Sequence, residues 1–163
     1  MNLKNLKEPF VIVLIGPPLS GKTTWIRNNF ADKDVTLISR DQILLDVYGG
    51  DNYDDAFNNV NQKEVDRVLH KTFLDANKSR KNVIVDMTHM GSKRRMQNLA
   101  YFDKDYYKLA VIFPILSEEE YEKRNTKRSA EENKNLPMHI IKRMISQYQP
   151  IKPEEGFNKV ISL

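Results

Sequence analysis

The 163-residue chain contains no cysteine. That absence excludes disulfides and cysteine-ligated zinc, and it fits a reducing cytosol. No apolar run approaches the length of a bilayer. The stretch Phe10-Val11-Ile12-Val13-Leu14-Ile15 follows an N-terminal segment with lysines and faintly resembles a signal peptide. It is too short for a signal core or a membrane span. A soluble, intracellular, cytoplasmic protein with no membrane partner is expected. Internal repeats, low-complexity tracts and Gly/Ser linkers are missing too, so 1–163 reads as a single domain. Large charge asymmetry is also absent. A formal charge of +4 suits a polyanionic partner without establishing one. The three histidines, His70, His89 and His139, lack the spacing of a metal cluster and are assigned no metal.

What the chain does contain is Gly16-Pro17-Pro18-Leu19-Ser20-Gly21-Lys22-Thr23, the pattern G-x-x-x-x-G-K-[ST]. The fixed positions recur by accident in roughly one chain of this length in two hundred, and the context makes accident rarer. Phe10 to Ile15 reads as a buried parallel strand, and Thr23, Thr24 and Trp25 open a helix reaching Phe30. A loop at that junction aims backbone N–H groups at one point, with the helix dipole behind them. Gly16 and Gly21 free the backbone, Lys22 can reach the β- and γ-phosphates, and the Thr23 hydroxyl can ligate Mg²⁺.

Downstream, further strands are predicted over 35–39, 82–86 and 108–113, with an edge strand over 160–163. Helices are predicted over 42–48, 59–79 and 92–102, the last capped by Ser92. Others run from a Ser117–Glu120 capping box to 128, and onward from Pro137. Residues 49–55 read as a polar loop and 130–136 as a mobile one. Strands alternating with helices mean a doubly wound parallel α/β sheet, with ligands at the carboxyl ends of its strands. Gly16, Asp41 and Asp86 then share one rim.

Asp41 follows the second strand, where it serves either as a general base for an acceptor hydroxyl or as a helix N-cap. Asp86 ends the third strand, as a Mg²⁺-side acid or as a turn residue. Arg124 and Arg128, four apart, project from one helix face. Paired guanidinium donors there suit phosphoryl oxygens, or else the helix is simply solvated and charged.

With these residues the chain resembles the kinase module of the bacteriophage and animal polynucleotide kinase/phosphatase family, over nearly its whole length. The matching pieces are Gly16 to Thr23 with Trp25, Ser39-Arg40-Asp41, Asp86-Met87-Thr88-His89 and Arg94-Arg95. Lys123-Arg124-Asn125 with Lys127-Arg128, and Pro153-Glu154-Glu155-Gly156-Phe157, complete the set. The resemblance implies a P-loop kinase fold with an arginine-bearing helical lid, moving the γ-phosphoryl group of ATP to 5′-hydroxyl ends of DNA or RNA. It implies Asp41 as base, Lys22, Arg124 and Arg128 as catalytic, and residues 16–24 with Arg124 as the ATP contacts. Mg²⁺ would sit at Thr23 and Asp86. Arg40, Asp41, Asp86, Thr88, His89 and Arg94 would face the acceptor. His89 stands where the family usually has Asn, and Leu44 where the phage enzyme has an arginine touching an acceptor phosphate. The family's phosphatase signature is absent, so ends are expected to be phosphorylated but 3′-phosphates left in place, with a ligase or phosphatase as a possible partner. Another hydroxyl acceptor (a modified base, a nucleoside or a metabolite) and a non-catalytic nucleotide-binding repair module are the alternatives.

Overall fold

The computed structural model describes residues 6–132 and 134–163. Its centre is a five-stranded, wholly parallel sheet in the order β2-β3-β1-β4-β5. The strands are β1 (Phe10–Ile15), β2 (Thr36–Ile38), β3 (Val83–Val85), β4 (Tyr107–Ile112) and β5 (Lys159–Ser162). Parallel strands need crossovers, and the helices supply them. They are α1 (Lys22–Phe30), α2 (Arg40–Tyr48), α3 (Tyr53–Asn59), α4 (Gln62–Lys78), α5 (Ser92–Leu99), α6 (Glu118–Glu132) and α7 (Met138–Ser146). Among the described residues no helix is long and apolar enough to cross a membrane.

Every residue of β1 is buried, and the strand's period of two divides them between two cores. Val11, Val13 and Ile15 pack with Leu44, Val65, Leu69 and Phe73. Phe10, Ile12 and Leu14 pack on the other face with Phe30, Leu109 and Phe113, and Trp25 closes over that core. Trp25 meets Phe113 edge-on at 6.0 Å, tying α1 to the strand end beside the phosphate loop.

The structure corrects several predicted boundaries. Residues 53–55 of the predicted loop open a helix, α3: the Asn52 side chain caps it by accepting from the Asp55 N–H. The helix predicted over 59–79 begins only at Gln62, because Val60 and Asn61 are extended and Asn61 starts a new cap. Ser92 is not the N-cap of α5; Gly91 is. The Ser92 N–H and hydroxyl both donate to the Gln149 side chain instead. The predicted loop over 130–136 is helical through Glu132; Asn133 lies outside the described residues.

One buried ion pair fastens the C-terminal segment to the sheet. Arg95 is fully buried and donates to both carboxylate oxygens of Glu155, at 2.6 and 2.7 Å. It also donates to the carbonyls of His89, Met90 and Gln149, so its guanidinium is satisfied on every side. These residues are framework, and they hold the turn after β3 in place.

Candidate active site

The loop between β1 and α1 is shaped by two glycines. A Cβ on Gly16 would lie 2.8 Å from the Phe113 Cβ and 2.9 Å from the Ser20 Oγ. Gly21 has φ +100°, a left-handed conformation open to glycine. Lys22 begins α1 and turns into the loop, donating to the carbonyls of Gly16 at 2.9 Å and Pro17 at 2.7 Å. Burial pushes its ammonium down to about 8, partly opposed by the carboxylates of Asp86 and Asp41. Both acids therefore lie within electrostatic reach of the loop lysine. Thr23 and Thr24 are exposed in the first turn of α1.

Asp86 directly follows β3, and its N–H bonds the Ile38 carbonyl of β2. Burial raises its pKa and Lys22 opposes the rise. Thr88 carries the tie to the loop, its carbonyl accepting from the Gly16 N–H at 2.9 Å.

Asp41 is not the N-cap of α2. That role belongs to Ser39, whose hydroxyl accepts from the Gln42 N–H at 3.4 Å. Asp41 stands in the first helical turn with its side chain 53% exposed, so a substrate can reach it. One carboxylate oxygen accepts from the Tyr53 hydroxyl at 3.1 Å and the other from the Lys134 ammonium. Lys134 also lies 3.6 Å from the centre of the Tyr53 ring. Burial, then the charge of Asp41, pushes the Tyr53 phenol well above its ordinary value, so it stays a donor. Neither Tyr53 nor Lys134 was anticipated from sequence.

The arginines of α6 are not a solvated face. Arg124 donates to the Leu19 carbonyl of the phosphate loop at 3.0 Å while its Nε bonds Glu120 at 2.5 Å. Glu120 thus serves Arg124; Ser117 accepts from the Glu120 N–H at 3.3 Å. Arg128 has its Nε and one Nη buried without a hydrogen-bond partner. Burial lowers its pKa, and Glu132, Asp41 and Tyr53 are among the groups that counter this. A buried guanidinium with free donors beside a carboxylate is arranged to receive an anion.

Other expected acceptor residues lie elsewhere. His89 is buried between the Leu14 carbonyl and the Asn98 amide, its ring nitrogens both engaged at 2.9 and 2.8 Å. Burial pushes it down to about 4, so the ring is neutral and its expected acceptor contact is withdrawn. Arg40 turns from Asp41 to Asp66 and Gln62, and with Arg94 it lines a neighbouring polar cleft of about 380 Å³. Leu44 is wholly buried in the core.

The donor set suits a hard cation. Thr23 and Asp86 offer oxygen, while no cluster of three His, Cys, Asp or Glu side chains exists among the described residues. Oxygen donors of this kind suit magnesium that arrives with nucleotide phosphates and keeps several waters.

Comparison with known proteins places this geometry. Over residues 11–151 the chain matches the family model for an AAA domain. A chain of a Pnkp1/Rnl/Hen1 RNA repair complex aligns with TM-score 0.70 at 22% identity, covering 90% of this chain and 46% of its own length. The chain therefore spans about half of that relative. A PezAT toxin–antitoxin protein of Streptococcus pneumoniae aligns with TM-score 0.66 at 14% identity, over 97% and 68%. A gluconokinase of Sinorhizobium meliloti aligns with TM-score 0.54 at 14% identity, over 97% and 83%. At these identities the likeness is one of fold. The chain belongs to the AAA domain family (AAA_33), and its fold is that of a P-loop kinase.

Proposed function

We propose that this chain is a polynucleotide 5′-hydroxyl kinase, transferring the γ-phosphoryl group of ATP to 5′-OH ends of DNA or RNA. The observation that carries the reading is the position of Asp41: an accessible carboxylate within electrostatic reach of both Lys22 and Arg128. A pure nucleotide-binding module has no use for that arrangement.

In this reading residues 16–24 cradle the triphosphate, and Lys22 leaves the Gly16 and Pro17 carbonyls for the β- and γ-phosphates. Thr23 and Asp86 would hold Mg²⁺, which would supply charge to neutralise the phosphoryl oxygens. Asp41 accepts the proton of the attacking hydroxyl, whose oxygen bonds the γ-phosphorus as the bond to the β-phosphate oxygen breaks and ADP leaves. Arg124 and Arg128 stabilise the charge on the phosphoryl oxygens in flight. The RNA-repair-complex neighbour supports a nucleic-acid acceptor.

A second reading keeps the chemistry with a small alcohol as acceptor. It is favoured by the gluconokinase neighbour and by an apolar, buried Leu44 in place of a phosphate-binding arginine. The test offers γ-labelled ATP to 5′-hydroxyl oligonucleotides, nucleosides and gluconate in parallel. Label on the oligonucleotide is expected. Label confined to a nucleoside or gluconate establishes the second reading. ATP binding with no acceptor labelled leaves only a nucleotide-binding module.

A further inference from the structure

Helix α3 stands directly beside the proposed base and carries two aromatic side chains, a half-buried Tyr53 packed on the core and an exposed Phe57. Tyr53 and Phe57 are one turn apart and therefore neighbours on the helix surface. Their rings stack with centroids 6.1 Å apart and planes 26° from parallel. The Tyr53 hydroxyl bonds Asp41 while Lys134 lies over the Tyr53 ring, so this ring is fixed by two polar partners. Phe57 extends the stack outward and remains 52% exposed. An exposed phenylalanine alone means little. One held in register with the group that meets the reacting hydroxyl is a different matter.

We propose that Phe57, backed by Tyr53, is the platform on which a nucleobase of the acceptor stacks. Asp41 and Phe57 are linked through Tyr53, by a 3.1 Å hydrogen bond at its hydroxyl and a 6.1 Å ring separation at its other side. Every base has a π-face, so such a platform selects nucleotides over sugars while tolerating sequence. Asp54 and Asp55 leave the helix in other directions, and Asp54 lies within electrostatic reach of Arg128. Tyr53 acts as a positioning residue: its hydrogen bond aims the Asp41 carboxylate as it supports the platform.

This inference rests on the polynucleotide reading, and one set of initial-rate measurements separates the two. The full chain is assayed with a 5′-hydroxyl oligonucleotide and with versions abasic at the first or second nucleotide. Phe57→Ala is expected to raise the acceptor KM by on the order of ten-fold, with the KM for ATP unchanged. Phe57→Trp restores it. On the oligonucleotide abasic at the stacked position, wild type and Phe57→Ala converge. An unchanged acceptor KM in Phe57→Ala overturns the platform, as does a loss that persists undiminished on both abasic substrates. If wild type labels no oligonucleotide but does label another alcohol, the polynucleotide reading falls and the platform with it.

Discussion

Arg124 of α6 donates to the carbonyl oxygen of Leu19 across 3.0 Å, joining that helix to the phosphate loop. One turn along, Arg128 carries buried nitrogens without partners. The helix is therefore anchored by one arginine and presents the other.

That difference separates activity from stability at Arg128. An unsatisfied buried donor costs about 1–3 kcal/mol, so Arg128→Met is expected to be at least as stable as wild type in urea. Phosphoryl transfer by the same variant is expected to fall on the order of a hundred-fold or more. Urea melts and kcat on one preparation check both halves. A variant that is markedly less stable, or fully active, contradicts the role given to Arg128.

Asp41→Asn keeps the shape and removes the proposed base. Transfer is expected to drop by roughly 10²–10⁴-fold, with ATP affinity within a few-fold of wild type by calorimetry. Retained transfer removes Asp41 from the chemistry.

The buried Arg95–Glu155 pair makes a prediction about the framework. Glu155→Gln leaves Arg95 charged and underpaired, which costs about 3–5 kcal/mol. Replacing Arg95 with Met as well is expected to bring no recovery, because it orphans the carbonyls of His89, Met90 and Gln149 that the guanidinium satisfies. A double-mutant cycle read by denaturant midpoint decides the point.

His89 gives the pH dependence. Burial holds the folded-state ring at about 4, below its ordinary 6.5. The unfolded chain therefore binds more protons between those values, and stability rises with pH across that window. Acidification from pH 7 through the window is expected to remove on the order of 3 kcal/mol. Most of that slope should vanish in His89→Asn, as measured by urea denaturation at pH 6.8 and about 4.

The phosphate loop, the parallel sheet and the placement of Asp41 and Asp86 on one rim were legible because each depends on local pattern. Gly16 and Gly21 mark the turn, and β-branched runs mark the strands. Helix α3 was missed because Asn52-Tyr53-Asp54-Asp55 carries turn-type residues. A signal was present: Asn52 followed three residues later by an acid is a helix start, and Tyr53 with Phe57 keeps helical spacing. Lys134 and Glu155 gave no local signal, because their partners Asp41 and Arg95 lie far away in the chain and meet them only in the folded protein. His89 misled for the opposite reason. Its place beside Asp86 in sequence says nothing of a backbone at φ +49° that sends the ring into the interior.

The strand order β2-β3-β1-β4-β5 puts both acids, with α2 and α3, on one flank of the central strand. On the proposed function, exchanging residues 40–61 for the equivalent stretch of another P-loop kinase should redirect transfer to a different acceptor. The donor half would go into such a chimaera untouched.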